Sequence, residues 1–179
     1  MAAAAAGIAV VSYGEGSVGR PPCRNRADAL MVTHSGNTMD IERFMQGYKA
    51  AWENRDDALF CALFAADGEY HNTPFAVQRG HAALAAYWQR VKLQEDVRLT
   101  YTVLAATPAG GIAHWHVTYQ VASEELFRIW AASTGTNLVA RKPGDPLPRM
   151  VLDGVLQARF DGDLCAECRL WWHSMPVAA

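Results

Sequence analysis

The chain has 179 residues, 51% of them apolar and 19% charged, and a formal net charge of -2. That balance gives no electrostatic reason to expect nucleic acid or an anionic membrane as partner. No apolar run approaches the roughly 20 residues that span a bilayer, and the length suits one domain with a real core.

Residues 1–37 pass from an alanine run into Gly, Pro and Arg without hydrophobic periodicity. They lack the basic start of a secretory signal. We read them as a disordered extension, or as the product of a start chosen upstream, with Met31 and Met39 just before the folded part. The domain itself is expected over 38–176.

Asp40 to Asn54 reads as the first helix. Ile41, Phe44, Met45, Tyr48, Ala51 and Trp52 form one apolar stripe. Asp56 or Asp57 then caps a short second helix carrying Leu59, Phe60, Leu63 and Phe64. Asp67-Gly68 is expected to turn the chain into a short strand, Glu69 to Thr73, stopped by Pro74. Gly80 opens a third helix to Leu93, with Leu84, Tyr87, Trp88 and Val91 on one side.

After it the period changes from 3.6 to 2. Val97, Leu99, Tyr101 and Val103 alternate with polar residues. A Pro108 to Gly111 turn follows, and then Ala113, Trp115, Val117, Tyr119 and Val121 alternate with His114, His116, Thr118 and Gln120. Residues 123–149 read as an insertion. Leu126, Phe127, Ile129 and Trp130 there suit either a continued strand or a short helix, and the rest is loop. Two strands joined at Asp161-Gly162 close the chain, one carrying Met150, Leu152, Leu156, Ala158 and Phe160, the other Ala166, Cys168, Leu170 and Trp172. The pattern is α+β: three N-terminal helices wrapped by a curved, mostly antiparallel sheet.

Cysteines stand at 23, 61, 165 and 168. Cys165 and Cys168 are expected on a strand, where residues three apart face opposite sides and can neither share a metal nor pair easily. Ordinary reduced thiols fit a reducing compartment, and a cytoplasmic location.

The runs Tyr48-x-x-Ala51-Trp52-Glu53-x-Arg55-Asp56, Leu63-Phe64-x-x-Asp67, Tyr70-x-x-Thr73-Pro74-Phe75 and Gly80-His81 resemble the nuclear transport factor 2-like, or SnoaL-like, superfamily. The closing Leu152 to Trp172 hairpin resembles the same group. The resemblance implies a cone-shaped cup lined by the apolar faces, with its mouth near Thr73-Pro74-Phe75 and an outer sheet face that makes a dimer. The superfamily hosts isomerases, dehydratases, cyclases and binding scaffolds.

The family's enzymes place a carboxylate inside the cup. The matching positions here are Thr73 and Leu156, while the tyrosine of the first helix has its counterpart in Tyr48. His71, two residues before Thr73, is then the candidate base and Tyr48 the candidate donor, with Glu69 placed to orient the imidazole. Trp52, Thr73, Phe75, Tyr87, Trp88, Trp115, Tyr119, Trp130, Leu156 and Trp172 are the expected wall of a pocket for a flat apolar ligand. His114 and His116 share the polar face of their strand with no third ligand evident, so no metal is expected. Asp153 and His173 are placed on the outer face.

No P-loop, dinucleotide-binding glycine motif or Ser-His-Asp logic occurs, and no cofactor is expected. The sequence therefore suggests a small-molecule-binding protein. Either it is a cofactor-independent isomerase, dehydratase or cyclase for an apolar cyclic or carbonyl compound, or it is a non-catalytic carrier or dimeric interaction protein.

Overall fold

The computed structural model describes residues 38–134 and 144–177, with the side chains of 132–134 left out. The extension expected over 1–37 lies outside the described residues, as does much of the loop expected within 123–149. Asp40 caps α1 (Ile41–Asn54), its carboxylate accepting from the Arg43 amide at 2.7 Å. The whole predicted stripe of α1 is buried. Arg55, at φ 57°, ends the helix in the left-handed region.

Asp56, rather than Asp57, caps α2 (Asp57–Cys61), accepting from the amides of Ala58 and Leu59. Only Phe60 of the four apolar residues assigned to this helix is both helical and buried. Leu59 is exposed, Leu63 follows the helix and Phe64 already belongs to a strand.

The expected turn at Asp67-Gly68 is instead a bulge inside one long strand, β1 (Phe64–Thr73). Between Phe64 and Glu69, β1 carries three residues more than β6 does, which kinks the strand without ending it. β2 (Ala76–Arg79) returns beside β1, and Gly80, at φ 75°, makes the sharp entry into α3 (Gly80–Trp88). That helix is shorter than predicted; a 3₁₀ turn at Val91–Leu93 replaces its last turn.

The remaining elements are β3 (Gln94–Thr107), β4 (Gly110–Val121), α4 (Glu124–Thr134), β5 (Arg149–Asp161) and β6 (Leu164–Pro176). They give one six-stranded sheet of order β2-β1-β6-β5-β4-β3. Every pair is antiparallel except β1 with β6. The α+β reading of helices against a curved, mostly antiparallel sheet holds.

Residues 124–134 choose helix over strand. Ser123 accepts from the Leu126 amide at the helix start, and Trp130 donates its indole N–H to Ser174 on β6. These bonds tie α4 to the sheet, with Leu126, Phe127 and Trp130 buried.

The cysteine expectation needs correction. β6 pairs Glu167 with Arg159 but Cys165 with Phe160, so Ala166 is an extra residue in the ladder. That bulge resets the alternation and turns both Cys165 and Cys168 into the core, each fully buried. Both remain free thiols. Burial pushes Cys165 up to about 12 and Cys168 well above its ordinary value.

The core is aromatic. Trp88 stacks on Phe60 with ring centroids 3.8 Å apart and meets Trp52 edge-on at 5.5 Å. Phe60 in turn meets Tyr70 edge-on at 5.2 Å.

Candidate ligand cavity

Between the helices and the inner sheet face lies a narrow cavity of about 50 Å³ that opens to solvent. Six of the predicted wall residues line it: Trp52 from α1, Tyr87 from α3, Trp115 and Tyr119 from β4, Trp130 from α4 and Trp172 from β6. The other four do not. Trp88 and Leu156 are fully buried in the core behind the walls. Thr73 sits half-buried at the end of β1, and Phe75 is 98% exposed in the β1–β2 turn.

His71 lies on the wrong face. In β1 the residues that turn inward are Phe64, Gly68, Tyr70 and Asn72, so His71 points to the outer side with Glu69. A one-residue error of phase moves every side chain of a strand to the opposite face. There His71 Nε2 lies 2.8 Å from Glu69 and 3.7 Å from Glu167, and Arg79 and Arg169 pair with the two carboxylates. It is part of an outer ionic network and cannot act as a base inside the cavity. The two carboxylates and the imidazole are close enough to gather a cation, but both carboxylates are already engaged by arginines.

Tyr48 is fully buried beneath the cavity rather than in its wall. Its hydroxyl lies 2.8 Å from that of Tyr70, which does line the space. Burial raises both phenols, and Tyr87 and Tyr119 with them. At neutral pH all four are uncharged hydroxyls. They can donate or accept a hydrogen bond, but they take up no proton.

Several wall residues were not predicted: Tyr70, Asn72, Arg90, Gln94, and Leu126 with Ile129 on α4. Tyr70 and Asn72 were available from the alternation, had the strand been phased on its large aromatic. Arg90 and Gln94 flank the 3₁₀ turn, where neither helical nor strand periodicity operates.

The chemistry of the wall is unusual in what it combines. Among the described residues no carboxylate and no imidazole lines it. Six buried side-chain polar atoms among the described residues lack a protein partner. Four of them belong to this wall: Trp52 Nε1, Trp115 Nε1, Asn72 Oδ1 and Gln94 Oε1. Buried polar groups are paired as a rule. Their concentration in one aromatic cavity marks a place where the pairing comes from something other than the fold.

The outer face carries a second polar group. His114 Nε2 and His116 Nδ1 lie 2.9 and 3.0 Å from the two oxygens of Asp153. These hydrogen bonds, from His114 first and then His116, hold the Asp153 carboxyl below the usual carboxylate range. The two histidines share a carboxylate across the β4–β5 ladder.

A cup closed by three helices and a bulged six-stranded sheet agrees with the comparisons. The SnoaL-like domain profile matches residues 41–166. This chain belongs to the SnoaL-like family. Among solved structures, a candidate polyketide cyclase from Pseudomonas putida is 18% identical with a TM-score of 0.53, the match covering 77% of this chain and 92% of the other. The epoxide hydrolase/cyclase-like enzyme SalBIII of salinomycin pyran ring formation is 12% identical, with coverage of 74% and 89% and a TM-score of 0.54. A hexachlorocyclohexane dehydrochlorinase is 11% identical, with coverage of 77% and 86% and a TM-score of 0.54. At such identities the likeness is one of SnoaL-like fold. Among curated proteins, no sequence matches this chain. No helix among the described residues is long and apolar enough to cross a membrane.

Proposed function

We propose that this SnoaL-like protein binds a small, flat, largely apolar ligand in the aromatic cavity and holds it without proton abstraction. The observation that supports this is the wall itself: aromatic surface carrying unpaired hydrogen-bonding groups and, among the described residues, no side chain that can take a proton near pH 7. Methyl cinnamate is a suitable neutral probe. Calorimetry should show one molecule bound per chain, and Leu152→Trp, which fills the space from β5, should abolish the heat without moving the urea midpoint. Saturable binding that persists in Leu152→Trp would place the ligand elsewhere and sink this reading.

One observation favours a second reading, that of a cofactor-independent isomerase, dehydratase or cyclase. The Tyr48–Tyr70 hydroxyl pair at the cavity floor is suited to hold a developing oxyanion on a carbonyl or cyclic compound. The substrate or water would then have to accept the proton. Recovery of every candidate compound unchanged argues for a carrier; conversion that disappears in Tyr70→Phe argues for the enzyme.

The outer sheet face is the proposed contact between two copies. Val151 faces Met175 and Val155 faces Trp171 across the β5–β6 ladder, with Trp171 47% exposed. Sedimentation should show a dimer that Trp171→Glu converts to a monomer; a wild-type monomer would remove this surface from consideration.

A further inference from the structure

The cavity wall holds one full positive charge and, among the described residues, no negative one. The charge is Arg90, which follows α3 and precedes the 3₁₀ turn. It is half-buried, and its guanidinium carbon lies 4.2 Å from the centroid of the Tyr87 ring. Its neighbours and analogues in the fold are paired: Lys92 with Asp57, Arg149 with Asp96, Arg79 with Glu69 and Arg169 with Glu167. Among the described residues no carboxylate pairs with Arg90, whose guanidinium lies over the Tyr87 ring. Glu125 borders the shallow groove on the outer side of Arg90, together with Lys92, without forming an ion pair with it.

A cation at the end of a helix is favoured by the helix dipole, and a solvent-facing arginine would serve that purpose equally. The dipole does not account for a guanidinium laid on an aromatic ring at the edge of an uncharged cavity. Partly burying a charge is costly unless an opposite charge meets it. Arginine also presents a planar fork of donors that matches a carboxylate with two parallel hydrogen bonds. The low-dielectric aromatic wall around it strengthens such a pair over the same pair in water.

We propose that the ligand is an anion, specifically a flat aromatic or unsaturated carboxylate. Its ring packs among Trp52, Trp115 and Trp172, and its carboxylate sits on the Arg90 fork. Asn72 and Gln94 offer unpaired oxygens that accept from a hydroxyl elsewhere on the ligand. The inference rests on the cavity being a binding site, and it adds the charge of what binds.

Cinnamate and methyl cinnamate share shape and differ in charge, so they separate the two claims. Calorimetry on the wild-type protein should show cinnamate binding at least about tenfold more tightly than its ester. Arg90→Met, which keeps the alkyl stem, should remove that advantage and bring the acid down to the affinity of its ester, while Arg90→Lys should retain part of it. Equal affinities in the wild type, or a preference that survives Arg90→Met, overturn the anionic assignment and leave the cavity reading intact. Binding of neither probe overturns both. Should Arg90→Met fail to fold, the wild-type comparison of acid with ester still decides.

Discussion

The stability of this protein falls steeply once the pH passes 10. Tyr48, Tyr70 and Tyr119 are buried, and burial is the first cause that holds each phenol above its ordinary value of 10. The sign follows from proton counting. Above pH 10 the unfolded chain releases these protons while the folded chain keeps them, so the unfolded state is favoured more with each pH unit. The contribution is fully present below pH 10 and is lost as pH climbs toward the folded values. Each such phenol is worth about 1.4 kcal/mol per pH unit in that window, and the three together on the order of 4 kcal/mol per unit. Against a typical total of roughly 5–15 kcal/mol, about one to four pH units should suffice to unfold the domain. Cys165 and Cys168, raised in the same direction, start the decline about a unit earlier. Urea midpoints measured in reductant should hold near pH 8, begin to fall at about pH 9 and drop steeply from about pH 10 to about pH 11, with tyrosinate absorbance appearing only on unfolding. Stable midpoints with early tyrosinate absorbance would mean that water reaches the hydroxyls.

Replacing Trp88 by alanine should cost about 3–5 kcal/mol, a large share of the total stability. Trp88 is fully buried and is the common neighbour of Phe60, Trp52 and Tyr48, with ring centroids at 3.8, 5.5 and 6.2 Å. Removing the indole leaves a hole bounded by three rigid rings on α1 and α2 that cannot collapse together. Trp88→Phe should lose considerably less, because it keeps the stack on Phe60. Chemical denaturation of the two variants reads this directly. A loss below about 1 kcal/mol in Trp88→Ala would show that the rings can close the gap.

The α1 stripe, the α3 aromatics and the β4 alternation were all legible, because each is a long run with one period. The bulges were not. An irregularity at 65–68 inserts three residues into β1 against β6, and a bulge at Ala166 inserts one into β6, and no local pattern announces either. Their consequences are large for the site: Cys165 turns into the core beside Cys168, and Tyr70 with Asn72, rather than His71, faces the cavity. The six aromatic wall residues were found through their size and face. Arg90 and Gln94 were missed because a 3₁₀ turn has too few residues to carry a period.

By itself the sequence determined the α+β class, the order of the helices, the long strands and the family, because hydrophobic periodicity and cap chemistry act over neighbouring residues. Which strand face turns inward, and which polar groups meet around the cavity, was decided only in three dimensions. The reason is physical: register is settled by pairing between strands distant in the chain, β1 against β6 above all, and an odd number of extra residues there reverses inside and outside. The imidazole at position 71 thus became an outer ion-network residue, and an arginine with no motif around it became the charge at the cavity.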